Sequence, residues 1–223
     1  MSINILRKNS HNEHILIVGS GIIGKFSALE ISKLGFRITI ADPSEKSSCS
    51  RASLGILMGK IYQKRKGRSW VLRKESIKLW QDWMEILKKY NHKLEIEKPL
   101  FQLTTDEKKF EKLKNFVMKN PNDNLKIIEQ DSHLIKNIQS IFKENSIRGI
   151  VSYEDGRINP IHLLDTMNIY LKKFNIKQIK EGIIKIEKHK NQWIALTSSG
   201  AEIYPDIIIL CNSLSAQKLV DLQ

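Results

Sequence analysis

Apolar and polar positions alternate between two rhythms along this chain. His14–Val18 (HILIV) is a short, mainly apolar run of the length expected for a buried strand. Residues 25–34 then place Phe26, Leu29, Ile31 and Leu34 three and four apart, which predicts a helix, and Gly35 stands where a helix C′ glycine belongs. A second apolar strand follows at 36–41 (FRITIA). Residues 70–89 predict a longer amphipathic helix through Ile77, Trp80, Trp83, Met84 and Leu87. Residues 100–103 read as a strand, Thr104 with Glu107 as a capping box, and 106–119 as a helix with Phe110, Leu113 and Val117 on one face. After the turn cluster at 121–124 comes a strand at 125–130, then a short helix to Phe142 capped by Asp131 or Ser132. Asn159 and Pro160 suit the N-cap and first position of a helix reaching Phe174. Four strands close the chain at 176–180, 183–187, 192–197 and 202–210, with a hairpin turn at 198–201. Ile207–Leu210 is apolar throughout, as expected of a strand buried on both faces.

The chemistry concentrates at the first of these junctions. Gly19-Ser20-Gly21-Ile22-Ile23-Gly24 joins the first strand to the first helix, and Asp42 ends the second strand. This is strand, G-x-G-x-x-G, helix, strand and acid within about thirty residues, the fingerprint of a dinucleotide site. Gly19 permits the tight turn, Gly21 lets a pyrophosphate approach the backbone, and Gly24 allows close helix–strand packing. The first-turn amides and the helix dipole face the phosphates, and Asp42 is placed to accept ribose hydroxyls. Both FAD and NAD use this arrangement. Residues 44–59 (SEKSSCSRASLGILMG) favour the larger cofactor, because a second stretch of small residues replaces the helix that an NAD domain would start there.

At 223 residues the chain has room for one sizeable core or two small ones. No apolar run approaches the roughly 20 residues of a transmembrane helix, and the N-terminus has no apolar stretch of signal-peptide length. The expected compartment is the cytoplasm, with Cys49 and Cys211 as free thiols and no metal-ligand spacing. Thirty-seven Lys and Arg against 24 Asp and Glu give a net charge of +13. Such a charge admits nucleic acid, acidic membrane or a phosphate-bearing cofactor as partner. Aromatics are 7% of residues and mostly at helical spacing, so the stacking platforms of a nucleic-acid binder are missing. A basic run, Lys60, Lys64, Arg65, Lys66, Arg68, Arg73 and Lys74, contains no acid. It reads as a solvated loop and helix start, or as cations facing the flavin or an acidic substrate.

The segment IVGSGIIGKFSALEISKLGFRITIADP followed by SCSRASLGILMG resembles the FAD-dependent D-amino-acid oxidase superfamily, near its glycine oxidase and D-amino-acid dehydrogenase branches. Tyr153 to Pro160 (YEDGRINP) and the terminal strands keep the same order, so the resemblance runs from about residue 14 onward. It implies an α/β fold, a Rossmann-like FAD-binding domain (GR2-type) with a partial α+β substrate-binding lobe. The implied division is 1–89 and 149–223 for the FAD-binding domain and 90–148 for the substrate-lobe insertion. The implied cofactor residues are Gly19, Ser20, Gly21, Ile23, Gly24 and Asp42 for the ADP half. Ser50, Arg51, Ala52, Leu54 and Gly55 follow for the pyrophosphate and ring, and Ile183 and Asn212 from the last strands. Asn212 departs from the alanine–glycine turn of relatives. Relatives also continue beyond the strand equivalent to Ile207–Leu210 with more substrate lobe and the arginine that holds a substrate carboxylate. A fragment, a shortened gene product or a partner chain would each account for that difference.

The implied activity is oxidation of the CH–NH bond of an amino acid or secondary amine by hydride transfer to FAD, with oxygen or a quinone as electron acceptor. No catalytic base is assigned. The alternatives are a non-catalytic flavin-binding module, an NAD-dependent dehydrogenase and, from charge alone, a nucleic-acid binder. The expected partners are a small amino acid or amine, with no nucleic acid and no transmembrane segment; a homo-oligomer is left open.

Overall fold

The computed structural model describes residues 13–43, 48–129, 132–136 and 147–220. The chain divides into two compact units. One is built from the chain up to Ser53 together with that from Pro160 onward, and the other is Leu54–Asn159. The second unit starts and ends further out than the 90–148 insertion expected from the sequence. Its short strands β3 (Ile56–Leu57) and β4 (Ile96–Glu97) both pair with β8 (Gly156–Ile158), so the flanks at 54–59 and 154–159 are tied to each other.

In the first unit β1 (His14–Val18) is buried along its whole length. It pairs in parallel with β2 (Arg37–Ala41) on one side and β13 (Ile207–Leu210) on the other. β9 (Lys177–Ile179) extends the sheet beyond β2, giving the order β13-β1-β2-β9. Parallel neighbours require crossovers, and helix α1 (Ile22–Ser32) provides the one between β1 and β2. It buries Gly24, Lys25, Ala28 and Leu29, and starts three residues earlier than its apolar spacing suggests, directly after Gly21. Gly35 takes a left-handed φ of 87° just past its end, as a C′ glycine should. Helix α4 (Pro160–Leu171) packs beside α1 and buries Leu163, Leu164 and Met167.

Every residue of β13 is half-buried, whereas a strand buried on both faces was expected. The reason is topological: β13 is the edge of its sheet, while β1 holds the centre. A separate antiparallel sheet, β10 (Ile183–His189), β11 (Gln192–Thr197) and β12 (Glu202–Ile203), has the expected turn, with Gly200 at φ 86°. Leu16, Val18, Ala41, Ile183, Ala195 and Leu219 of the short helix α5 (Gln217–Val220) form one apolar cluster.

In the second unit β5 (Leu100–Thr104) and β6 (Leu125–Ile128) flank β7 (Arg148–Ser152) in an antiparallel sheet. Helix α3 (Glu107–Met118) contributes Phe110 and Leu113 to the core. Its cap is Asp106, whose carboxylate accepts from the Lys109 amide at 2.9 Å, and not the expected Thr104–Glu107 box. Thr104 accepts instead from the Asp106 amide at 3.1 Å, shaping the turn before the helix. Helix α2 (Arg68–Leu87) buries only its final turns, at Trp83, Met84 and Leu87. Ser132 caps a single turn at His133–Ile135; Asp131 and the helix expected to reach Phe142 lie outside the described residues.

Three cations of the basic run are occupied within this unit. Lys60 and Arg65 converge on Asp123, with Lys60 Nζ at 3.1 Å. The Arg73 guanidinium lies 3.9 Å from the Tyr62 ring centroid and donates to the Met58 carbonyl at 2.9 Å. Asp155 is buried, and its carboxylate accepts from the amides of Gly59, Lys60 and Ile61 at 2.7, 3.0 and 2.6 Å. One acid thereby fixes the strand-to-loop turn that precedes the basic run.

Candidate cofactor cleft

The glycine turn is built by close approach. Gly19 has φ +103°, and its amide donates to Ala41 O at 2.8 Å. A Cβ there would sit 2.6 Å from Cys211 O, so neither the dihedral nor the space admits a side chain. A Cβ on Gly24 would collide with the Gly19 carbonyl. The helix therefore starts hard against the end of β1, as close helix–strand packing at the third glycine requires. A Cβ on Gly21 would meet only the Ser50 hydroxyl, at 2.8 Å.

Asp42 follows β2 directly, and its amide donates to Ile179 O at 3.1 Å, which fixes the residue at the sheet's C-terminal end. Its Oδ2 accepts from the Ser20 amide at 2.6 Å, tying the acid to the glycine turn. Ser50 Oγ accepts from the Ile22 amide at 3.0 Å, satisfying one of the first-turn amides that a helix start leaves unpaired. The loop at Ser50 thus lies over the start of α1.

A cleft of about 330 Å3 opens here. The glycine turn supplies Gly19 and Gly21, the end of β2 supplies Asp42, and the following loop supplies Ser48, Cys49 and Ser50. Gly182 and Ile183 form another wall, and Cys211 to Ser213 with Ser215 close it after β13. The walls come from the C-terminal ends of β1, β2 and β13, where open α/β sheets bind ligands.

Of the residues implied by the resemblance, Gly19, Gly21, Asp42, Ser50, Ile183 and Asn212 line this one cleft. Gly24 lies beneath it as a packing residue. Ser20 and Arg51 line an adjoining cavity, and Arg51 pairs with Asp165 at 2.9 Å. Ile23 is 65% exposed and Ala52 is exposed; neither lines the cleft. Leu54 and Gly55 belong to the second unit, where Gly55 O accepts from the Ile158 amide at 2.9 Å. Sequence reasoning missed Ser48, Cys49, Gly182, Ser213 and Ser215 as walls. Their signal was only that small residues cluster at strand ends.

Asn212 has an ordinary φ of −94°, and the left-handed position falls on Ser213 at φ 56°. The Asn212 Oδ1 is buried and has no hydrogen-bond partner. Burial pushes the Cys211 thiol above its usual pKa, against a weaker effect of Ser27, so this cysteine is a packing group and not a thiolate.

The residues present fit a dinucleotide. A glycine cradle, an acid at the ribose position, a helix start and an orphaned buried acceptor share one opening. No group of three His, Cys, Asp or Glu capable of holding a metal occurs among the described residues. No described helix is long and apolar enough to cross a membrane.

Fold and cleft together define a Rossmann-like dinucleotide-binding protein. Residues 14–223 match the family model described as FAD dependent oxidoreductase (DAO), and the chain belongs to that family, whose cofactor is FAD. No curated protein matches the chain. Among solved structures, it is similar to the glycine oxidase of Geobacillus kaustophilus, with 18% identity and a TM-score of 0.78 over 95% of this chain and 58% of that one. It is also similar to the iminodiacetate oxidase of Chelativorans sp. BNC1, with 16% identity and a TM-score of 0.75 over 93% and 57%. The L-amino acid deaminase of Proteus myxofaciens gives 15% identity and a TM-score of 0.72 over 96% and 49%. The chain therefore spans less than three fifths of the length of these proteins.

Proposed function

We propose that this chain binds FAD through the cleft at the glycine turn and serves oxidation of an amino acid or secondary amine. The observation that carries the reading is convergence. Gly19, Gly21, Asp42, Ser50 and Ile183, spread over 165 positions of sequence (183 − 19 + 1), line one opening at the C-terminal ends of the parallel strands. The Asp42 carboxylate accepts ribose hydroxyls while its Oδ2 keeps the Ser20 amide in place. The glycine turn lets the pyrophosphate reach the backbone beside α1, where the helix dipole favours negative charge. Ser50 holds the loop over the first turn of that helix.

FAD, when bound, supplies a two-electron acceptor for hydride leaving the carbon next to nitrogen. Such chemistry asks the protein chiefly for position, with the carbon aimed at the ring and the carboxylate held. The proteins of similar fold include a glycine oxidase, an iminodiacetate oxidase and an L-amino acid deaminase, and amine or amino-acid substrates follow from that company.

The test is the visible spectrum of the purified chain reconstituted with FAD, before and after anaerobic addition of glycine, sarcosine and a panel of amino acids. A flavin spectrum that one of these bleaches supports the full reading. A flavin spectrum that none bleaches leaves a binding module without turnover. A folded chain that takes up no FAD refutes the reading.

A further inference from the structure

Lys25 is the one lysine among the described buried residues, with 3% of its surface exposed. It sits in the first turns of α1, one residue after the last glycine of the fingerprint. A buried ammonium is expensive unless an anion meets it. Here its two hydrogen-bond partners are neutral: Ser20 Oγ at 2.6 Å and Asn168 Oδ1 at 2.5 Å. No described carboxylate lies within ion-pair distance of it, and Asp42 and Asp165 act on it only through space. The contrast with Asp155 is direct, since that buried charge is met by three backbone amides.

The ammonium lines a cavity of about 200 Å3 in the first unit. Two further cations line it, Arg51 and Lys180, against one carboxylate, Asp42. Asp42 is engaged by the Ser20 amide, and Arg51 spends one nitrogen on Asp165. An ammonium has three donors and a guanidinium five, so donors remain on both Lys25 and Arg51. Lys180 is exposed and pairs with no described acid. Among the described residues the lining therefore carries more cations than carboxylates, three against one.

We propose that this cavity is an anion subsite for one phosphate group, bound by Lys25, Arg51 and Lys180. A tetrahedral dianion offers several acceptors to donors arriving from different directions. The subsite adjoins the cofactor cleft at Asp42 and Ser48, which line both openings. Its phosphate comes either free from solution or on a small phosphorylated molecule other than the cofactor, because the adenosine ribose of FAD carries no phosphate. Neither source rests on the FAD reading above.

The experiment uses the full chain, with thermal unfolding in inorganic phosphate against chloride of equal ionic strength, and calorimetric titration with adenosine 2′,5′-bisphosphate and adenosine 5′-monophosphate. Phosphate raises the unfolding midpoint saturably, and Lys25→Met removes that rise. If the bisphosphate binds about tenfold tighter than the monophosphate, and Lys25→Met erases the difference, the subsite takes a phosphate carried on an organic molecule. If the nucleotides bind alike while inorganic phosphate stabilises, the phosphate is free. Lys180→Ala, on the surface, weakens phosphate binding several-fold and serves as an independent variant should Lys25→Met fold poorly. The inference is overturned if phosphate acts no differently from chloride and the two nucleotides bind alike. It is equally overturned if neither variant changes the response.

Discussion

Replacing Lys25 by Met tests how the buried ammonium is tolerated. Burial is the largest influence on this group and lowers its pKa from 10.5 to about 8; Arg51 adds to the fall, and Asp42 and Asp165 oppose it. At about 1.36 kcal/mol per pH unit, that fall corresponds to roughly 3 kcal/mol borne by the charged form in the folded state. Methionine keeps most of the apolar stem and removes the charge. It also takes a charged donor from Ser20 Oγ and Asn168 Oδ1, a loss of about 1 to 3 kcal/mol for the two acceptors together. The net expectation at pH 7 is a variant from as stable as the wild type to about 2 kcal/mol more stable, contrary to the usual outcome for a buried position.

The pH dependence isolates the charge. Between about pH 8 and 10.5 the unfolded chain holds this proton and the folded chain releases it. Wild-type stability therefore rises with pH through that window, while Lys25→Met shows no such rise. Hydrogen bonding to Asp123 raises Lys60 and hydrogen bonding to Glu111 raises Lys114, which gives opposite slopes, but both proteins share these groups and the difference cancels them. Urea unfolding of both proteins at pH 7, 8.5 and 10 gives the comparison. An advantage of Lys25→Met at pH 7 that shrinks or reverses by pH 10 is the expected result. Parallel profiles would refute an uncompensated buried charge.

Three other substitutions probe the fold and the cleft. Asp42→Ala removes the ribose acceptor and the partner of the Ser20 amide, so FAD affinity falls by tenfold or more, about 1.4 kcal/mol, measured by quenching of flavin fluorescence; unchanged affinity in a folded variant would exclude the ribose role. Gly24→Ala drives a methyl into the Gly19 carbonyl and lowers stability by roughly 1–3 kcal/mol, read from denaturant midpoints, with FAD affinity falling alongside. Asp155→Asn leaves at least one of three buried amides without its carboxylate oxygen, and destabilises by roughly 2–3 kcal/mol. Hydrogen exchange in the second unit should register that loss, and exchange at Gly59 to Ile61 as slow as in the wild type would contradict it.

The first forty residues were legible because their determinants are local. The strand, the glycines, the helix and Asp42 follow one another, and each acts on near neighbours. Long-range partners were not legible. Lys25 looks in sequence like a solvated helix position, and only Asn168, 143 residues away, explains its burial. Ser50 was expected to face phosphate, yet its hydroxyl meets the Ile22 amide 28 residues back. Asp155 lies within YEDGRINP, and its bonding to amides 94 to 96 residues earlier could not be read from that segment. The left-handed residue of the turn after Leu210 is Ser213, which nothing in its local sequence marks. Edge against centre in the parallel sheet depends on strand order, so the apolar run at Ile207–Leu210 gave the wrong burial.

The division of the chain has a consequence for its birth on the ribosome. Leu54–Asn159 is one continuous stretch, whereas the other unit is assembled from both sides of it. Val18 pairs with Leu210 across 192 positions (210 − 18), and this strand pairing completes only once Leu210 has been made. During synthesis the segment Ile15–Leu16–Ile17 leaves the exit tunnel early and waits for its second neighbour, presenting one apolar edge to whatever passes. The inserted unit has no such delay and is free to fold first. Its closing strand Gly156–Ile158 pairs with Ile56–Leu57 and draws Ser53 and Pro160 toward each other. A closed insert shortens the loop that the parallel sheet must still bridge, so the interruption in the nucleotide-binding half also acts as the clasp that helps reunite it.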